Sequence, residues 1–113
     1  MTAVQDGRSI DTTMGFTPLG GLMMSTRSGD LDPGLLIYLM RDHGMTADAL
    51  DTLLSEQSGL LGVSETSGDM RDLLAREQTD PRAAEAITLY CYQARKFLGA
   101  LIAALGGVDR LVF

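Results

Sequence analysis

The chain has 113 residues and a mass of 12.1 kDa, the size of one modest domain. Hydrophobic residues make up 45% and charged residues 21%, which is the composition of a folded chain and not of a disordered one. A net charge of −6 argues against a nucleic-acid binder, because no basic stripe is present to displace counterions from phosphates.

The positive charge comes from eight arginines and one lysine, Lys96. Arginine grips carboxylate and phosphate with two bonds where lysine offers a point charge. The single cysteine, Cys91, permits no internal disulfide and fits a reducing compartment. With one histidine, His43, neither a cysteine nor a histidine metal cluster is available. Residues 1–6 lack the basic and apolar regions of a secretion signal. The most apolar run, Phe97–Leu105, is too short for a bilayer core of about 30 Å. These features read as a soluble, cytoplasmic chain.

Asp6-Gly7 is a two-residue hairpin signal, with short strands expected at residues 2–5 and 9–12. Residues 14–30 then hold four glycines and a proline among apolar residues, with no sustained period. A long glycine-punctuated loop of this kind is usually functional. Asp32-Pro33 opens a helix, the aspartate capping and the proline at the first helical position. Its apolar face is Leu35, Leu36, Leu39 and Met40, and His43-Gly44 stops it. Thr46 caps a second helix with Leu50, Leu53 and Leu54 inside, ending near Gly59. Leu60–Val63 reads as a short extended connection. Ser67 or Asp69 caps a third helix to about Glu77, with Met70, Leu73 and Leu74 buried. Asp80-Pro81 starts the longest helix, expected over 81–105 and stopped by Gly106-Gly107. Ile87, Tyr90, Cys91, Ala94, Phe97, Leu98, Leu101, Ile102 and Leu105 follow its 3–4 spacing. From Phe97 onward it is apolar all round, so that end is expected to be buried on every side. Leu111-Val112-Phe113 reads as a nascent strand.

Two features are unusual for so short a chain. A helix over 81–105 is about 37 Å long, whereas a domain of this size has a radius of gyration near 13 Å. A chain that closes on an apolar strand leaves an open pairing edge. Both suggest a piece of something larger, or a protomer that completes its core with a partner.

The run Asp11-Thr12-Thr13-Met14-Gly15-Phe16-Thr17-Pro18-Leu19 continues through Gly21-Leu22-Met23-Met24 and Thr26-Arg27-Ser28-Gly29-Asp30 to Asp32-Pro33. It resembles the signature region of acetate kinases. Ser58–Ser64, Asp69–Asp72 and Leu105–Asp109 extend the resemblance over the whole chain, which spans only the middle of the family's sequence. The resemblance implies an α/β fold, here the helix-rich part of the second lobe of the actin-like, acetate and sugar kinase ATPase fold. That part carries a short amino-terminal β-hairpin and a carboxy-terminal strand, and residues 1–113 form a single partial domain. It implies reversible transfer of the γ-phosphoryl of ATP to acetate, with magnesium, in a homodimer. By position, Arg27 matches the arginine beside the transferring phosphoryl and the substrate carboxylate. Pro18 matches a wall of the pocket for the acetate methyl. Asp69, Met70 and Arg71 match residues lining the adenosine site. The chemistry agrees for Arg27, since phosphoryl transfer relies on positioning and charge stabilisation, and a planar guanidinium bridges two anions. Three positions depart from the family pattern: Gly20 stands for a glutamate, Ser25 for a glycine and Gly68 for a serine.

The remaining candidates have simpler readings. His43 sits where a protonated ring favours a helix dipole. Cys91 reads as an inert core residue, and the seven methionines as core filler. Asp30, Asp32, Asp69 and Asp72 invite a magnesium site, but two of them have capping duties, so no protein-only metal site is expected. The family's phosphate-binding segments are not among these residues, so the chain alone is expected to lack kinase turnover. The alternative is a non-catalytic oligomerising module derived from that fold.

Overall fold

A computed structural model of the chain describes residues 1–113. Strands β1 (Thr2–Gln5) and β2 (Arg8–Thr12) form an antiparallel hairpin. Asp6 and Gly7 both take positive φ, 51° and 74°, as a two-residue turn matched to strand twist requires. Ala3 pairs with Asp11 and Val4 with Ser9, so Ile10 is the extra residue of a bulge.

Five helices follow: α1 (Pro33–Asp42), α2 (Ala47–Glu56), α3 (Gly59–Ser64), α4 (Met70–Arg76) and α5 (Pro81–Leu105). The expected caps form. The Asp32 carboxylate accepts from the Gly34 N–H, the Thr46 hydroxyl from the Ala49 N–H, and Asp80 from the N–H groups of Arg82 and Ala83. Gly106 ends α5 in the left-handed conformation. The hairpin, α3 and α4 all pack on α5. The core lies in that contact: Met23, Leu60, Leu73, Ala83, Ala86 and Ile87 are buried together, with Val63, Met70 and Tyr90 against them. Small residues on α5 let α3 and α4 approach closely.

Several expectations fail, mostly for one reason. Leu60–Val63 is not extended but lies in α3. Leu111–Phe113 forms no strand, since no third strand pairs with the two of the hairpin. The far end of α5 is not buried all round: Leu101 is buried, Leu98 and Ile102 are half-buried, and Ala100, Ala103 and Ala104 are exposed. Cys91 is exposed, not in the core. Of the methionines only Met23 is buried. In α4, Leu73 is fully buried but Leu74 is 53% exposed. No residue of α1 is buried. The molecule measures 47 × 37 × 17 Å. A helix with its side chains is about 10–12 Å across, so a plate this thin covers one face of α5 and leaves the other open.

Candidate functional site

The glycine-rich loop between the hairpin and α1 is closed at its neck by Asp30. The Asp30 carboxylate accepts from the Gly21 N–H at 2.6 Å, and the Asp30 N–H donates to the Gly21 carbonyl at 2.9 Å. Gly21 and Gly29 have φ of +85° and +73°; a Cβ on Gly21 would strike the Thr13 backbone at the end of the hairpin, and one on Gly29 the backbone of Gly21 and Met23 across the neck. A Cβ at Gly20 would stand 3.4 Å from the Asp30 carboxylate. A glutamate at that position, which the resemblance implies for the family, would bring a second negative charge beside it.

Further along, the loop docks on the α2–α3 junction. Helix ends leave backbone groups without partners, and here the loop supplies them on both sides. The carbonyls of Met24 and Ser25 accept from the N–H groups of Leu60 and Leu61, each at 2.9 Å. The Thr26 carbonyl accepts from the Ser58 N–H at 2.9 Å. In return, the Ser28 N–H donates to the Leu54 carbonyl at 3.0 Å, and the Thr26 hydroxyl donates to the Ser55 carbonyl at 2.8 Å. Gly59, at φ +63°, faces the backbone of Met24 and Arg27, and a Cβ there would collide with both. Sequence reasoning missed this junction because α3 has no side-chain cap: the Ser58 hydroxyl donates to the Leu53 carbonyl instead. Its cap is the loop, which lies far off in sequence. The one local sign was the glycine after Ser58.

An open depression of about 590 Å³ is lined in part by this loop, through Leu22, Met23, Met24 and Ser25. Its walls are mostly apolar, with Met23, Met24, Leu60 and Met70 among them, and Thr13, Ser25, Asp69 and Tyr90 are its polar lining residues. Asp69 caps α4 through the Arg71 N–H at 2.8 Å, and both its oxygens meet the Arg71 guanidinium, at 3.1 and 2.6 Å. The Arg71 side-chain bond, helped by its backbone N–H, lowers the Asp69 carboxyl from 3.8 to about 2. The turn before α4 is set by Ser64, fully buried, whose hydroxyl donates to the Ser67 carbonyl at 2.9 Å and accepts from the N–H groups of Thr66 and Ser67.

The five residues singled out from sequence are thus distributed unevenly. Asp69 and Met70 line the depression. Arg71 is beside it, exposed and paired with Asp69. Pro18 is exposed on the loop outside the depression. Arg27 is also exposed, with a pinned backbone and a guanidinium free of ion pairs. The four aspartates considered for magnesium do not converge. Asp30 closes the loop neck, Asp32 and Asp69 cap helices, and Asp72 accepts from the Ser67 hydroxyl.

Residues 1–113 match the family model described as the acetokinase family. The chain belongs to the acetokinase family. It is 56% identical to an acetate kinase of Rhodopseudomonas palustris, over all of this chain and 28% of that one. Among solved structures it resembles the acetate kinase of Porphyromonas gingivalis, with a TM-score of 0.91 and 44% identity over 96% of this chain and 27% of that one. It also resembles a propionate kinase of Francisella tularensis, with a TM-score of 0.85 and 39% identity over 91% and 27%. This acetokinase-family chain therefore spans under a third of the length of its relatives. The helix-rich architecture with a two-stranded sheet is that of a segment of the acetate and sugar kinase fold. No helix is long and apolar enough to cross a membrane.

Proposed function

We propose that residues 1–113 are a single partial domain that supplies part of the cleft of an ATP-dependent acyl phosphotransferase acting on acetate or a similar short carboxylate. The observation that carries this reading is Arg27: a guanidinium without an ion pair on a turn whose carbonyls, Met24 to Arg27, are all taken by N–H groups. In the reaction, Arg27 bridges the carboxylate acceptor and the transferring phosphoryl group, holding two anions together and countering charge as it spreads over the phosphoryl oxygens. Pro18 is a wall for the acceptor's alkyl end. The nucleotide is held by Asp69, Met70 and Arg71. A wall of methionines with Ser25 and Tyr90 beside it fits a flat, heteroatom-bearing base. A bound nucleotide supplies the phosphoryl group. Magnesium does not fit the carboxylates here, each being engaged in its own turn or helix cap. The exposed free thiol of Cys91 fits a reducing, cytoplasmic setting.

The chain alone is expected to show no appreciable ADP release from ATP, magnesium and acetate, because it spans so little of its relatives. The reading itself is tested in a chimera in which residues 1–113 replace the matching segment of the Rhodopseudomonas palustris relative. That chimera should turn over, and Arg27→Ala should lower its kcat by about 10²–10³, the usual cost of one electrostatic stabiliser. An active R27A chimera overturns the role of Arg27. A second reading, a self-associating module, is favoured by the open face of α5 and by α1, none of whose residues is fully buried.

A further inference from the structure

Arg27 has no side-chain partner, so whatever aims it must act through its backbone. We propose that Thr26 and Gly59 are positioning residues for Arg27, and that the α2–α3 junction is the socket that holds its turn. This rests on the catalytic reading of Arg27 given above. The carbonyls of Met24, Ser25 and Thr26 are taken by N–H groups of Leu60, Leu61 and Ser58, and that of Arg27 by the Met24 N–H. The turn therefore has no unpaired carbonyl to swing toward water. One side-chain hydrogen bond joins the turn to the socket: the hydroxyl of the half-buried Thr26 donates to the Ser55 carbonyl at the end of α2. Gly59 makes the fit possible. Its missing side chain is the space occupied by the Met24 carbonyl and the Arg27 backbone. A helix amino-terminus thus grips the turn by its carbonyls, while a helix carboxy-terminus grips it by a hydroxyl and an N–H. The guanidinium is left exposed with its own donors unspent.

The test is amide hydrogen exchange on the full chain. In the unaltered protein, the Met24, Ser28, Leu60 and Leu61 amides should be protected comparably to Leu73 and Ile87 in the core. Thr26→Val keeps the shape and strands the Ser55 carbonyl. It should speed exchange at those four amides by about tenfold or more, as expected for a buried acceptor left unpaired. Leu73 and Ile87 should keep their rates, and Thr26→Ser should restore protection. Gly59→Ala should open the same amides further. Unprotected Leu60 and Leu61 amides in the unaltered chain overturn the socket, whatever the variants do. So do wild-type rates throughout T26V, or an equal rise at Leu73 and Ile87, which would mark a general loss of stability. In the chimera, Thr26→Val should lower kcat by about tenfold or more with KM for ATP little changed, and Thr26→Ser should restore it. A T26V chimera with unaltered kcat overturns the positioning role, whereas an R27A chimera with unaltered kcat overturns the catalytic reading itself.

Discussion

Asp69 does two jobs with one carboxylate. It caps α4 through the Arg71 N–H and pairs with the guanidinium of the same residue. Its carboxyl is lowered to about 2 in the folded chain, chiefly by the Arg71 side chain. A depressed carboxyl stabilises the fold above its unfolded value of 3.8 and loses that contribution as pH falls toward 2. Carbon-13 titration of the Asp69 carboxyl should therefore give a midpoint near 2. Arg71→Gln should raise it part-way, since the backbone N–H still donates. Because the Arg71 side chain is exposed, added salt should also move the midpoint upward.

Ser25 and Gly68 form a second residue-scale pair. A Cβ on Gly68 would fall on the Ser25 hydroxyl and within 2.9 Å of its carbonyl oxygen. The resemblance implies the opposite arrangement in the family, with glycine at position 25 and serine at 68, so the two departures exchange one volume between two sites. Gly68→Ser alone should destabilise the chain by about 1–3 kcal/mol through overpacking. Adding Ser25→Gly should recover part of that, with a coupling of about 0.5–3 kcal/mol between the sites. Urea midpoints of the four proteins in the cycle measure it, and strict additivity would sink the idea.

At the scale of elements, α4 separates what periodicity predicts from what packing selects. Leu73 and Leu74 are adjacent in sequence and both belong to an apolar stripe. Only Leu73 reaches the core against α5, while Leu74 is half-exposed. Leu73→Ala should cost about 2–5 kcal/mol, the range for a buried leucine. Leu74→Ala should stay within about 0.5 kcal/mol, as an exposed site does. Thermal or denaturant unfolding of the two variants reads this directly. The longer elements were legible for a plain reason. Asp32, Thr46 and Asp80 cap α1, α2 and α5 through bonds made within three residues, and Asp6-Gly7 turns the hairpin on itself. Such signals need no distant partner. The short helix α3 was hidden because its capping groups are the carbonyls of Met24 and Ser25, more than thirty positions earlier.

As a whole, the molecule is a plate 17 Å thick with 14 of its 113 residues buried. Large apolar side chains remain in solvent: Leu31, Leu35, Tyr38 and Met40 on and beside α1, and Val108, Leu111, Val112 and Phe113 after α5. Scattered single residues of this kind are ordinary, but groups of them mark contact surfaces. Light scattering of the purified chain at micromolar concentration should accordingly give a mass of at least two chains. A clean monomer would count against the self-associating reading and leave the open faces for parts of a longer fold.

Local chemistry in the sequence was enough to determine the hairpin, the ends of the long helices and, through the run from Asp11 to Pro33, the family. These depend on bonds within a few residues or on a pattern of identities, and neither requires the chain to be folded. Only the tertiary structure decided which apolar residues are inside. Cys91, Leu74 and the end of α5 share the period of buried positions, yet burial needs a neighbour, and this thin plate offers one to only part of each stripe. It also decided how Arg27 is held, because the hydrogen bonds that fix its turn join Met24–Ser28 to Leu54–Leu61 across the fold.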